Sequence, residues 1–178
     1  MKWLTSRTGK FLLKALCIYL IWYVIYELWL LPEGSLDEWL TTNIVSVSAG
    51  ILTYLGYHIY AIGRLIGIGL APGIYLANGC SGTSVMGLFA GFVIAYPGKW
   101  IPRLVFIPTG FGIIYLANVA RIVVLAIIQT DWPGFFGIAH TYSTKALLYL
   151  IVFGLWVLWA TYGKGQPLNP QAESKRTV

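Results

Sequence analysis

Apolar residues along this chain gather into long runs rather than alternating with polar ones, and the runs define its elements. The first, residues 11–31, is long enough to cross a bilayer core of about 30 Å at about 1.5 Å per residue. A short basic stretch with Lys2, Arg7 and Lys10 precedes it, and Pro32 ends it. The run exceeds a secretory signal's apolar region and no small-residue cleavage site follows, so it reads as a retained helix. Residues 81–96, 104–129 and 142–162 read as three further spans. The first of these three is rich in small residues, Gly82, Gly87, Ala90 and Gly91, which lets a neighbouring helix approach closely.

Two segments break this pattern. Over residues 35–57, Ser35 is placed to cap a helix with Glu38 at the capping-box position, but Thr41, Thr42, Asn43, Ser46 and Ser48 make the first half too polar for a clear span. An interfacial or half-inserted amphipathic helix fits better. Over residues 58–78, β-branched and aromatic residues sit among Gly63, Gly67, Gly69, Pro72 and Gly73, and short strands or a hairpin are expected at 59–62, 65–68 and 74–77. The rival reading makes 35–57 and 59–78 both spans. The expected fold is therefore an all-α integral membrane protein with four transmembrane helices, or six in the rival reading, plus an interfacial helix and short strands or a hairpin on the outer face. One membrane domain takes in residues 1–178, with an outer-face segment at 33–79 and a cytoplasmic, polar tail at 163–178.

Composition agrees with this class: 58% of the 178 residues are hydrophobic and 10% charged. The net charge of +6 does not signal nucleic acid, because the basic residues lie at the ends of apolar runs. In the four-span arrangement Lys2, Arg7, Lys10, Lys14, Lys99, Arg103, Lys164, Lys175 and Arg176 fall on or near one face, against Arg64, Arg121 and Lys145 near the other. The richer face is cytoplasmic by the positive-inside rule, which puts both termini inside a cell membrane. Five spans would move Lys99, Arg103 and the tail outside.

Candidate chemistry centres on the stretch Asn78-Gly79-Cys80-Ser81-Gly82-Thr83-Ser84. Cys80 stands between glycines at or just before a helix start, where unpaired backbone N–H groups favour a thiolate, and a thiolate is a nucleophile. Counted up from the cytoplasmic turn, Cys80 and Arg121 both lie roughly 24–26 Å into the bilayer, and His140, opening the last helix, about 33 Å up. Cysteine, arginine and histidine at one outer level suit acyl transfer: thiolate attack, a histidine base and then acid, a guanidinium for the oxyanion. Asn118, three residues before Arg121 on the same helix face, either orients the guanidinium or binds a substrate carbonyl. Ser81 and Gly82 flank the nucleophile as substrate-contacting positions, although Ser81 and Ser84 read as caps rather than nucleophiles. Arg121 has an alternative partner in Glu27, at similar depth. Cys17, within the first run, reads as packing; His58 reads as interfacial, and Lys145 as snorkelling to the interface. No disulfide framework, metal or cofactor is called for.

Asn-Gly-Cys-Ser-Gly, then Ala-Asn-Val-Ala-Arg within a helix, then His140 opening the last helix, resemble the exosortase and archaeosortase family of membrane-embedded cysteine transpeptidases, over roughly residues 74–150. The resemblance implies Cys80 as nucleophile, Arg121 as oxyanion or substrate stabiliser and His140 as base. It also implies cleavage of a sorting signal made of a short motif, an apolar helix and a basic tail at the C-terminus of exported proteins, with transfer to an acceptor. A different class stays open beside it: a small transporter or a non-catalytic membrane scaffold that uses Arg121 and His140 as a polar path or structural pair. A transporter tolerates Cys80→Ala; an acyl-transfer enzyme does not.

Overall fold

A computed structural model describes residues 7–140 and 144–163. Lys2, Tyr142, Lys164, Lys175, Arg176 and the rest of the 164–178 tail lie outside the described residues. Helix α1, Arg7–Trp22, runs on through widened π-helical turns at Tyr23–Leu30 and a closing turn at Leu31–Glu33. Helix α2, Ser35–Tyr54, follows, then strands β1, Ile59–Ile62, β2, Leu65–Ile68, and β3, Ile74–Tyr75. Helices α3, Thr83–Ala95, α4, Trp100–Asp131, α5, Pro133–Ile138, and α6, Thr144–Tyr162, complete the described chain.

The three strands form an antiparallel sheet in the order β1-β2-β3, with Ile62 opposite Leu65 and Ile66 opposite Ile74. Strands are thus found where the β-branched residues predict them, β3 being shorter than expected. The sheet also removes the rival in which 59–78 is a membrane helix.

Among the described residues, Gly9–Glu33 and Trp100–Asp131 are long and apolar enough to cross a membrane. The other two apolar helices are shorter, Thr83–Ala95 and Ala146–Tyr162. The 13 residues of α3 rise only about 20 Å, less than a bilayer core, because the chain ahead of Thr83 turns instead of coiling. Gly82, with φ of +86°, caps α3, a left-handed conformation that glycine adopts without a Cβ penalty.

The start of α2 also differs from expectation. Gly34, with φ of +81°, holds the cap position; Ser35 is already helical, and its backbone N–H and its hydroxyl both donate to Glu33. A carboxylate two residues back outcompetes the capping box because it accepts both donors at once.

Two apolar clusters meet along α4. One joins Ile44, Val45 and Leu52 of α2 with Ile66, Ile68 and Ile74 of the sheet and Val119, Ile122 and Leu125 of α4. The other joins Phe89 and Val93 of α3 with Ile114 of α4 and Val152, Leu155 and Trp159 of α6. Asn118 and the cysteine loop lie where these clusters adjoin. Helix α1 leans on α3 so closely that a Cβ on Gly87 would come within 2.0 Å of the Trp22 ring.

The far end of α3 is capped by cations. Arg103, 5% exposed, donates from Nε to the Val93 carbonyl at 3.2 Å and from Nη2 to the Tyr96 carbonyl at 2.7 Å, while Lys14 Nζ donates to the Ile94 carbonyl at 2.9 Å. Two residues counted for orientation therefore also satisfy orphan carbonyls at a helix C-terminus, where positive charge is favoured.

Candidate active site

The cysteine loop is a tight, internally bonded structure. Gly79 has φ of +81°, and the Cys80 N–H donates to the Ala77 carbonyl at 3.0 Å, so Cys80 and Ser81 are held between two left-handed glycines. Cys80 is half-buried and unpaired; Cys17 is exposed and unpaired. Helix α3 begins three residues after the sulfur, at Thr83.

Asn118 reaches this loop from α4. Its Nδ2 donates to the Cys80 carbonyl at 3.0 Å and to the Ser81 carbonyl at 2.9 Å, and its Oδ1 accepts from Arg121 Nη1 at 3.1 Å. Both amide hydrogens are directed at the protein's own carbonyls, so the side chain orients the guanidinium while it tethers the loop. One turn of helix makes this geometry available, because positions three apart share a face. Asn118 is fully buried and Arg121 is 7% exposed, with its Nε buried and unbonded. Arg121 thus pairs with Asn118, and not with Glu27. The Glu27 carboxylate instead faces Ser84, whose hydroxyl stands 3.5 Å from Oε1. Glu27 and Ser84 form the polar part of a cavity of about 320 Å³ between α1, α3 and α6, lined also by Trp22, Leu88 and Trp156.

The opposite side of the loop is held by a residue that its sequence context does not single out. Asp37, in the first turn of α2 and fully buried, accepts the Gly79 N–H at 3.0 Å and the Ser81 hydroxyl at 2.5 Å on Oδ1, and the Tyr26 hydroxyl at 2.9 Å on Oδ2. In sequence Asp37 reads as an ordinary acidic residue near a helix start, favoured there by the macrodipole. The only local hint is that acidic residues cluster between two apolar segments. Ser81 is also fully buried, accepts the Thr83 N–H at 3.2 Å, and lies 2.7 Å from the Thr83 hydroxyl, which makes it part of the α3 start. Its hydrogen-bonding capacity is spent inside the protein. Gly82 packs against Asn118, with a Cβ at that position falling 3.5 Å from Nδ2.

A third contact fixes the front of the loop. Asn78 accepts from Arg64 Nη1 at 2.7 Å and donates to the Leu31 carbonyl at 3.3 Å, and the Arg64 guanidinium lies 5.6 Å from the centre of the Tyr75 ring. The loop is thereby joined to α1, α2, the sheet and α4. His140 follows the end of α5, half-buried, with its ring stacked on Phe136 at 5.6 Å between centres. Phe136 packs on the cluster that contains Val119 and Ile122, the neighbours of Asn118 and Arg121.

A family model described as transmembrane exosortase matches residues 3–160. The chain belongs to the transmembrane exosortase family. That match extends well beyond residues 74–150 and takes in α1 and α2, so the transmembrane exosortase region includes Asp37 and Tyr26 as well as the cysteine loop. Family membership and the apolar helices make this a membrane protein of a family associated with sorting-signal processing. No curated protein and no solved structure matches the chain significantly.

Proposed function

We propose that this transmembrane exosortase is a cysteine protease or transpeptidase that cleaves the C-terminal sorting signal of exported proteins at the outer face of the cell membrane. The observation that carries the reading is the double attachment of Asn118, which links the Cys80 loop to Arg121 through one side chain. A nucleophile and a cation held by the same amide keep a fixed separation during reaction, which is what stabilisation of a developing charge requires.

In the proposed cycle the Cys80 thiolate adds to the scissile carbonyl carbon, and the negative charge that develops on the carbonyl oxygen is met by the Arg121 guanidinium. Collapse breaks the C–N bond, His140 gives its proton to the departing amine, and a thioester remains on Cys80. An acceptor nucleophile, deprotonated by His140, then attacks the thioester and releases the thiolate; water in its place gives hydrolysis. Asn118, Ser81 and Gly82 serve by shaping the loop. The basic residues support an arrangement with both termini cytoplasmic, four spans, and the site facing outward.

The test is co-expression with an exported protein ending in a short motif, an apolar span and a basic tail. Wild-type chain should shorten that protein and form a covalent adduct cleavable by hydroxylamine, and Cys80→Ala should do neither. Full processing by properly inserted Cys80→Ala would overturn the cysteine mechanism and leave the transporter or scaffold reading in its place.

A further inference from the structure

We infer that Asp37 is a positioning residue for Cys80: its buried carboxylate holds the backbone N–H of the residue before the nucleophile and the side-chain hydroxyl of the residue after it. The inference rests on the proposed acyl-transfer reading. Removing a carboxylate from water is costly unless donors or cations replace the lost solvent. Among the described residues, the hydrogen-bond partners of Asp37 are all neutral: a backbone N–H and two hydroxyls. A simple tether between α2 and the loop needs only one of these bonds and no charge. The arrangement has a more particular shape, because Oδ1 takes both loop donors, from Gly79 and Ser81, and these are the residues immediately before and after Cys80.

On the other side, Asn118 holds the carbonyls of Cys80 and Ser81. The peptide units around the sulfur are thus fixed at Gly79 N, Cys80 O, Ser81 O and Ser81 Oγ, from two helices 81 positions apart at Asp37 and Asn118. With those points held, the Cα–Cβ direction of Cys80 has little freedom. Misplacing a reacting group by about 1 Å costs on the order of 100-fold in rate, and holding it calls for an acceptor oxygen that takes two donors at once. Tyr26 supplies the remaining donor on Oδ2 and anchors the carboxylate to α1, its hydroxyl also meeting Thr83 and Ser84 at the α3 start.

Four variants in a Cys17→Ser background separate positioning from plain structural support. They are followed by processing rate in the co-expression assay and by amide hydrogen exchange across residues 77–82 of the full-length protein in detergent. Asp37→Ala should lower processing about 100-fold and speed exchange at Gly79 at least about tenfold. Asp37→Asn keeps an Oδ1 acceptor for the loop, so most of the rate and the exchange protection should return. Ser81→Ala removes a bond on Oδ1, together with the Ser81 contacts to Thr83, and should slow processing, whereas Tyr26→Phe removes the Oδ2 bond and the hydroxyl's contacts to Thr83 and Ser84, leaves both Oδ1 bonds in place, and should lower the unfolding temperature while leaving processing within about threefold. The Ser81→Ala and Tyr26→Phe pair decides the matter even where Asp37→Ala fails to fold. Unchanged Gly79 exchange in Asp37→Ala, or equal loss of processing in Tyr26→Phe and Ser81→Ala, would overturn the assignment. Loop exchange needs no substrate, so it reports on Asp37 even if Cys80→Ala retains processing and the acyl-transfer reading itself fails.

Discussion

The side-chain amide of Asn118 donates to the carbonyl oxygen of Cys80 at 3.0 Å, across 38 positions of sequence. The same amide nitrogen also serves Ser81, and the amide oxygen receives Arg121, so one residue of α4 reads both the nucleophile loop and the cation. Substituting Asn118→Ala would leave two loop carbonyls without that donor and Arg121 without its acceptor. Each buried polar group left unsatisfied costs about 1–3 kcal/mol, so a clear drop in the unfolding temperature of detergent-solubilised protein is expected. Asn118→Asp should be no better, since its oxygen meets the carbonyls as an acceptor facing acceptors.

Arg121→Lys should not be conservative. An ammonium donates to Asn118 or to a developing oxyanion but lacks the rigid fork that serves both together. Processing is expected to fall at least about tenfold while insertion and unfolding temperature stay close to wild type, and a wild-type processing rate would remove Arg121 from the mechanism.

The two glycines around the cysteine make separate predictions. Nothing lies within 4 Å of a Cβ built on Gly79, so Gly79→Ala tests conformation alone at φ of +81°, with an expected cost of about 1–2 kcal/mol. Gly79→Asn should be milder than Gly79→Val, because asparagine tolerates the left-handed region and a β-branched residue does not. Equal unfolding temperatures for the asparagine and valine variants would mean the loop relaxes out of this conformation.

Packing of α1 on α3 should be sensitive at Gly87. A Cβ there would overlap Trp22, whose ring stacks on Tyr26 at 5.2 Å between centres, and Tyr26 in turn bonds Asp37. Gly87→Leu is therefore expected to destabilise the fold, by a core overpacking cost of about 1–3 kcal/mol. Gly112→Ala, at a helix position with open space around it, is the control and should leave unfolding unchanged or slightly improved.

Arg103→Ala should cost more than a surface arginine usually does. Its guanidinium is buried against the Val93 and Tyr96 carbonyls and lies 5.0 Å from the centre of the Trp100 ring. Loss of those bonds leaves the Val93 and Tyr96 carbonyls without their cationic donor, and a lowered unfolding temperature with unaltered membrane orientation would separate this capping role from any part in topology.

What the chain's own pattern determined is local. Long apolar runs specify helices because a backbone surrounded by apolar side chains must bond to itself, and β-branched residues between glycines specify the short sheet at residues 59–75. The spacing of Asn118 and Arg121 puts them on one helix face, and the glycines beside Cys80 announce a loop in a left-handed conformation that most L-residues adopt only at a cost. What tertiary structure decided are the partners. Ser35 looks like a cap until Glu33 takes its hydroxyl, Glu27 looks like a partner for Arg121 until Asn118 fills that position, and Ser81 looks available until Asp37 and Thr83 bind it. Asp37 carries no mark in the sequence because its meaning lies 42 and 44 positions away, at Gly79 and Ser81. A carboxylate in the first turn of a helix satisfies the same local preference whether it faces water or a buried loop, and only the packing of α2 beside α4 turns it inward.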